Sequence, residues 1–206
     1  MKTAPSRTRT AATPPRSRMD RDTRRRQLLD CAIEAFAERG TARAGHADIA
    51  RLAQVSVATA FEYFPTRELL LDAVLADTER FLFEVMACGT AAGSASGRVL
   101  EIFHLFANCV EDQPHHMRVW LDWSTSIREH VWPRYVAVQE RIIEMFRQMI
   151  DEGRSAGTVH AVVVPEDAAR ILVGQAHMIV MMRFAHVEAE RVSRFIDHMI
   201  DNALSR

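Results

Sequence analysis

The chain has 206 residues, of which 48% are apolar and 26% are charged, so it can bury a sizeable core and is not a disordered polypeptide. Charge or glycine interrupts the apolar stretches within about a dozen residues, short of the ~20 that a membrane span needs, and no apolar signal-peptide core opens the chain. We expect a cytoplasmic protein with no membrane partner. Cys31, Cys88 and Cys109 are widely spaced and lack a C-x-x-C pattern, which argues against a disulfide framework and a thiolate metal site.

The formal net charge of -1 hides an uneven distribution. Residues 1–27 hold nine Lys and Arg against Asp20 and Asp22, so this segment carries +7 and the remainder carries -8. A basic end on an acidic body directs a polyanion such as nucleic acid to that end. A solubilising tail explains the same composition equally well.

The first elements follow from composition and spacing. Residues 1–18 are rich in Thr, Ala, Pro, Ser and Arg without periodicity, which predicts a flexible basic arm. Apolar residues at helical spacing then run from the region of Asp20 to Gly40 and predict a first amphipathic helix.

Two short helical patterns follow around a small break. His46–Ala53 places Ile49, Ala50 and Ala53 on one face, Gln54-Val55-Ser56 interrupts it, and Val57–Tyr63 forms a second helix with Ser56 as its N-cap. This order predicts a helix-turn-helix unit, with a purely structural helical hairpin as the alternative.

The rest of the chain is also helical in pattern. Thr66 caps a helix toward Met86, and a Gly/Ser/Ala hinge spans Gly89–Gly97. Further helices are predicted over 98–112, 115–127, 134–153, 168–185 and 189–204. Residues 157–164 are predicted to be an extended loop, after which Pro165-Glu166-Asp167 opens the helix over 168–185. We expect an all-α protein of about nine helices. Its predicted parts are the arm at 1–18, a helix-turn-helix domain at 19–65 and a helical domain at 66–206.

The second short helix has the side chains that a DNA-contacting helix needs. Small residues at its start let the backbone approach the major groove. Thr59 can donate to a phosphate or contact a thymine methyl, and Tyr63 can hydrogen-bond a phosphate.

The motifs in this region resemble a known family. An Arg-rich arm, AFAERG, DIARLAQVSVATAFEYF and FPTRELL, in this order, resemble the N-terminal DNA-binding domain of TetR-family transcriptional regulators. GHADIARLAQVSVAT, FEYFPTREL and VWLDWSTSIREHVWP are similar to the LuxR/HapR/SmcR subgroup of quorum-sensing master regulators, over residues 23–75 and 117–135. The resemblance implies a three-helix DNA-binding domain followed by a helical ligand-binding and dimerisation domain. It also implies a homodimer that binds a pseudo-palindromic double-stranded operator.

The DNA-contacting residues are predicted from both arguments. Arg7 and Arg9 resemble basic arms that enter a minor groove, and the arginines from Arg16 to Arg26 would lie along phosphates. The full set is Arg7, Arg9, Arg21, Arg24, His46, Ser56, Val57, Ala58, Thr59, Glu62, Tyr63 and Arg67. One position departs from the subgroup's pattern: where the subgroup has Phe-Asn-Tyr-Phe, this chain has Phe-Glu-Tyr-Phe, with Glu62 in place of the asparagine. The Glu62 carboxylate repels phosphate but can accept a hydrogen bond from cytosine N4.

Two further sites are predicted in the second domain. The resemblance implies an apolar effector cavity, although the residue types alone favour ordinary core packing; its candidate residues are Phe81, Phe103, Phe106, Cys109, Trp120, Trp123, Trp132, His177 and Met178. The last two helices carry more apolar surface than one small core needs, which favours a dimer contact over internal packing. The dimerisation residues are Ile171, Gln175, Met178, Ile179, Met182, Phe195 and Met199.

No catalytic or metal-binding pattern is recognisable. The histidines lack H-E-x-x-H or a similar ligand spacing, and neither a Gly-rich phosphate loop nor G-x-S-x-G occurs. We therefore predict no catalytic residue, metal or cofactor.

The expected function is a quorum-sensing-type global regulator. A local repressor released by a small apolar effector is the nearer alternative, and a helical enzyme or ligand-binding module the more distant one.

Overall fold

The computed structural model describes residues 20–89 and 93–204, and these residues form nine α-helices and no β-strand. The helices are α1 Arg21–Arg39, α2 His46–Leu52, α3 Val57–Tyr63, α4 Arg67–Cys88, α5 Ala95–Asp112, α6 Pro114–Thr125, α7 Trp132–Ser155, α8 Pro165–Phe184 and α9 Ala189–Leu204. The predicted all-α fold is confirmed. The predicted arm at 1–18, with Arg7 and Arg9, lies outside the described residues.

Polar caps determine where several helices begin. Asp20 accepts from the backbone of Asp22 and Thr23 at the start of α1, and Thr66 accepts from Leu69 at the start of α4. Each cap satisfies amide groups that have no partner within the helix.

Three helices, α5, α6 and α7, begin earlier than predicted, and α8 begins at the proline predicted to open it. α5 starts at Ala95 because the Ser94 hydroxyl accepts from the amide of Gly97. Proline lies in the first turn of α6, α7 and α8, where a missing amide hydrogen costs nothing. Pro114 is thus the first residue of α6 and Pro133 the second residue of α7, although both helices were predicted to begin after these prolines.

The helices enclose two groups of buried side chains. The first joins α1–α4 to α6 and the start of α7, and the second joins α5, α7, α8 and α9. The predicted extended loop before α8 contributes Val159 and Val163 to the second group, and its His160 amide donates to the carbonyl of Leu204. The loop is therefore packed against the end of α9.

Candidate DNA-binding face, dimer face and interior cavity

The turn between α2 and α3 has a defined geometry. Gln54 has a φ of 54°, its amide donates to the carbonyl of Arg51 at 3.4 Å, and the Val55 amide donates to that of Ala50 at 3.0 Å. This paired arrangement is a Schellman motif, which reverses the chain in very few residues. The predicted break between the two short helices is therefore a tight helix-turn-helix connection.

α3 presents most of its side chains to solvent. Ser56 caps it by accepting from the Thr59 amide at 3.0 Å, and Ala60 is the buried residue within Val57–Tyr63. Val57, Ala58 and Glu62 are exposed, as is the cap Ser56. This helix has the accessible outer face that insertion into a major groove requires.

Thr59 and Tyr63 are half-buried at the edge of that face. The Thr59 hydroxyl lies 2.9 Å from the Ser56 hydroxyl, so a contact from Thr59 to DNA has to share or replace this hydrogen bond. No hydrogen bond in the described residues fixes the Glu62 carboxylate, which is exposed. The DNA roles of these three side chains stay predictions.

His46 and Arg67, two predicted DNA-contacting residues, donate hydrogen bonds to backbone carbonyls of the protein. His46 is only 6% exposed and its Nε2 donates to the carbonyl of Phe64 at 2.6 Å. Arg67 donates through Nε to the carbonyl of Ala44 at 3.0 Å and through Nη2 to that of Thr41. These donor groups are directed into the protein, which contradicts a DNA contact through His46 Nε2 or through the Nε and Nη2 of Arg67.

The described arginines at the start of α1 differ in exposure and in their bonds. Arg21 is exposed, and Arg24 donates to the side chain of Gln27 at 2.7 Å. Arg26 bonds Asp30 at 2.9 Å and Asp77 of α4 at 2.7 Å. Arg21 is thus accessible to a phosphate, whereas Arg24 would have to share or exchange its bond to Gln27 and Arg26 links the DNA-binding unit to the second domain.

Two carboxylates connect that unit to the second domain. Asp77 of α4 accepts from Arg26, from Arg80 at 2.6 Å and from His116 of α6 at 3.0 Å. Burial raises the pKa of the Asp77 carboxyl, but the hydrogen bonds from Arg80, His116 and Arg26 outweigh it and lower the pKa to about 2. Asp77 is therefore a carboxylate at neutral pH.

The second carboxylate is at the loop after α1. The Thr41 amide donates to the Asp122 side chain of α6 at 2.7 Å, beside Gly40, whose φ of 82° ends α1. α1 consequently meets α6 along its length and at its end. α6 therefore contacts the loop that leads from α1 to the helix-turn-helix.

An apolar cavity of about 50 Å³ lies between α4, α5, α6, α7 and α8. Predicted cavity residues Phe103, Phe106, Trp120 and His177 line it, and helices α4, α7 and α8 supply most of the remaining walls. The lining also includes Tyr135 and Gln139, which sequence reasoning did not select. With His177, they supply polar atoms in the wall that can orient a ligand.

Five predicted cavity residues lie elsewhere. Trp123 is fully buried and its indole donates to the carbonyl of Val131, while Met178 is exposed on the outer side of α8. The lining likewise omits Phe81, Cys109 and Trp132. These five assignments are corrected, because helical spacing does not show on which side of a helix the cavity forms.

The polar groups of the cavity are uncharged at neutral pH. The Tyr135 hydroxyl lies 3.3 Å from Nε2 of His177, and the Trp120 ring centroid lies 4.3 Å from that of His177. Burial raises the pKa of Tyr135 to about 12, and burial lowers the pKa of His177. The cavity therefore suits an uncharged, mainly apolar molecule.

α8 has an exposed apolar side. Ile171, Met178 and Met181 are each about half exposed (55%, 51% and 55%), and Gly174 lies between the first two with open space beside it. Gln175, Met182, Phe195 and Met199 are half-buried. Ile179 is 0% exposed and belongs to the interior, which corrects its predicted place at a dimer contact.

Residues 20–89 and 93–204 contain no cluster of three or more His, Cys, Asp and Glu side chains able to hold a metal ion. The helices of the same residues include none long and apolar enough to cross a membrane. Burial raises the pKa of the Cys109 thiol to about 11, so this cysteine is a protonated thiol.

Together, the capped helix-turn-helix, the exposed face of α3 and the helical second domain define the class of helix-turn-helix DNA-binding proteins. Residues 28–74 match the profile of bacterial regulatory proteins of the tetR family. The chain is 36% identical to the HTH-type transcriptional regulator LuxR of Vibrio harveyi over 188 residues, covering 89% of this chain and 92% of LuxR. It is 33% identical to the HTH-type transcriptional regulator BetI of Cronobacter sakazakii over 57% of this chain and 60% of BetI.

A comparison of folds also finds a TetR-like regulator among proteins of known structure. A TetR-like transcriptional regulator from Rhodococcus sp. RHA1 superposes with a TM-score of 0.74 at 18% identity, covering 89% of this chain and 96% of that one. The chain belongs to the TetR family and is a transcriptional regulator of the LuxR/HapR type. Regulators of this family bind DNA operators and act as dimers.

Proposed function

We propose that this protein is a cytoplasmic, non-catalytic regulator that binds a pseudo-palindromic operator as a homodimer, with one α3 helix in the major groove of each half-site. The outer face of α3 carries this proposal, because Val57, Ala58 and Glu62 are solvent-exposed on a helix held by a tight turn. The exposed Arg21 and the basic segment before it supply positive charge for phosphates.

The homodimer contact is proposed along α8 and α9. Ile171, Met178 and Met181 lie on the same side of α8 and leave large apolar areas in water. Gly174 between them costs about 1 kcal/mol in a helix relative to alanine, a cost that close approach of a second helix offsets. The same surface on a second copy would cover these side chains around a two-fold axis.

The biological role is proposed to be global regulation of the quorum-sensing type. The 36% identity to Vibrio harveyi LuxR over nearly all of both chains supports this role. The alternative is a local repressor released by an effector, and the apolar cavity beside Tyr135 and His177 supports it. At about 50 Å³ the cavity is smaller than ligand sites of about 300 Å³ and more, so an effector would have to expand it.

Selection from a randomised duplex library tests DNA recognition by the full chain. We expect the bound pool to converge on an inverted repeat, with half-site centres about 10 base pairs apart or a multiple of that spacing. A pool that stays random at low and moderate salt would contradict sequence-specific binding.

Mapping of bound sites across the genome separates the two biological roles. A global regulator occupies sites at many unlinked promoters, whereas a local repressor occupies one site or a few near its own gene. If the second pattern is found, apolar ligands that raise the thermal midpoint and release the operator should be sought. A cavity-filling Ala176→Phe variant would be the matched control, since it should not respond to such ligands.

A further inference from the structure

The His46 ring joins two points of α3. It is the first residue of α2, and its Nε2 donates to the carbonyl of Phe64 at 2.6 Å. A carbonyl oxygen only accepts, so the proton must reside on Nε2. The ring also stacks on Phe61, with centroids 3.8 Å apart and planes 10° apart. One side chain of α2 thus holds both a residue within α3 and the residue that ends it.

The two contacted residues differ in burial. Phe64 is buried, and the Arg25 guanidinium lies 5.1 Å above its ring, so the accepting carbonyl belongs to an anchored residue. Phe61 is 46% exposed and lies on the outer part of α3. His46 therefore links the outer part of the recognition helix to the fixed interior.

α3 has few other anchors. It has seven residues, about 10 Å of helix, and Ala60 is the buried side chain within Val57–Tyr63. Such a short helix has little stability of its own, so packing decides its orientation. The two contacts of His46 lie three residues apart along α3, nearly one turn, and together limit both its tilt and its rotation.

We infer that His46 is a positioning residue for sequence discrimination: by stacking on Phe61 and donating to Phe64 it orients the outer face of α3 without itself contacting DNA. This rests on the proposed function, in which α3 enters the major groove. Discrimination between sequences needs base-edge geometry, whereas non-specific affinity comes from phosphates, so a misoriented α3 loses the first and keeps the second.

The test uses the full chain and two duplexes of equal length and composition at one salt concentration. One duplex is the sequence that wild type selects from a random library, and the other is its scrambled version. His46→Phe keeps a flat ring but removes the donor. We expect it to bind the selected duplex about tenfold more weakly, equivalent to about 1.4 kcal/mol, with affinity for the scrambled duplex within twofold of wild type.

Ile49→Val is the matched control. Ile49 is fully buried on α2, so its truncation lowers stability while the His46 bond to Phe64 and the His46 stack on Phe61 keep both of their partners. The ratio of the two affinities should be unchanged in this variant at a temperature where it is folded. If His46→Phe lost affinity equally for both duplexes, so that the ratio of the two affinities stayed at its wild-type value, the inference would be overturned.

Phe61→Leu removes the exposed ring on which His46 stacks. This variant keeps the inference testable if His46→Phe does not fold. We expect the same loss of discrimination, and in the double variant a loss no larger than that of one single variant. Fully additive losses would mean that Phe61 contacts DNA independently of His46, which overturns the positioning role. Wild type that selects no sequence would instead contradict the proposed function itself.

Discussion

Replacement of Asp77 by asparagine should destabilise the junction between the DNA-binding unit and the second domain. The Asp77 side chain is 5% exposed and accepts from Arg26, Arg80 and His116. Its pKa is lowered from 3.8 to about 2. A shift of nearly two pKa units corresponds to about 2 kcal/mol of folding free energy at neutral pH.

The predicted change is measurable by thermal unfolding at fixed protein concentration. For a chain of this length, about 2 kcal/mol lowers the thermal midpoint by about 4–8 °C. Because the folded-state pKa is the lower one, the carboxylate stabilises the protein fully above the unfolded pKa and loses this effect as pH falls toward 2. The difference between wild type and Asp77→Asn should therefore be constant from pH 7 to about 5 and shrink below pH 4.

Glu84→Gln is the matched control. Glu84 pairs with the same Arg80 at 2.6 Å, but both side chains are at least half exposed, so its removal should cost less than about 1 kcal/mol. A midpoint for Asp77→Asn within about 1 °C of wild type would refute the assignment of stability to this junction. The same conclusion would follow if Glu84→Gln had an equal effect.

Four further outcomes are expected. Ile171→Glu combined with Met178→Glu should give monomers with weakened operator binding, because the dimer would bury unpaired charge; sedimentation showing wild type as a monomer at micromolar concentration would contradict this. Deletion of residues 1–18 should flatten the slope of log K against log salt by about 0.9 per lost phosphate contact, and an unchanged slope would show that the arm does not contact DNA. Glu62→Asn should change the base preferred at one position per half-site if the carboxylate faces a base edge, and should strengthen binding to all sequences if it faces phosphate. Tyr63→Phe should weaken binding without changing preference; an altered preference with Tyr63→Phe but not with Glu62→Asn would reverse the assigned faces.

The helix-turn-helix could be predicted because its determinants are local. Ser56 and Thr66 cap helices through bonds to amides three residues away, and the break at Gln54 reflects a turn within six residues. Helical periodicity then identifies the side of each helix that is apolar. These determinants, with the family motifs, were sufficient for the all-α fold and the placement of the DNA-binding unit.

Local sequence patterns do not show which distant neighbour covers a given side chain. Contacts with such neighbours decided the roles of several residues. His46 begins a helix in a DNA-binding unit, a position that favours a DNA contact, yet its partner Phe64 is 18 residues away. Ile179 and Met178 are adjacent in sequence, but the packing of α8 buries the first and exposes the second. Asp77 and Arg26 are 51 residues apart, so their ion pair has no local signal. Composition, capping and periodicity therefore determined the elements, whereas the cavity, the outer face of α8 and the bonds around α3 were decided by how the helices pack, since burial depends on neighbours distant in sequence.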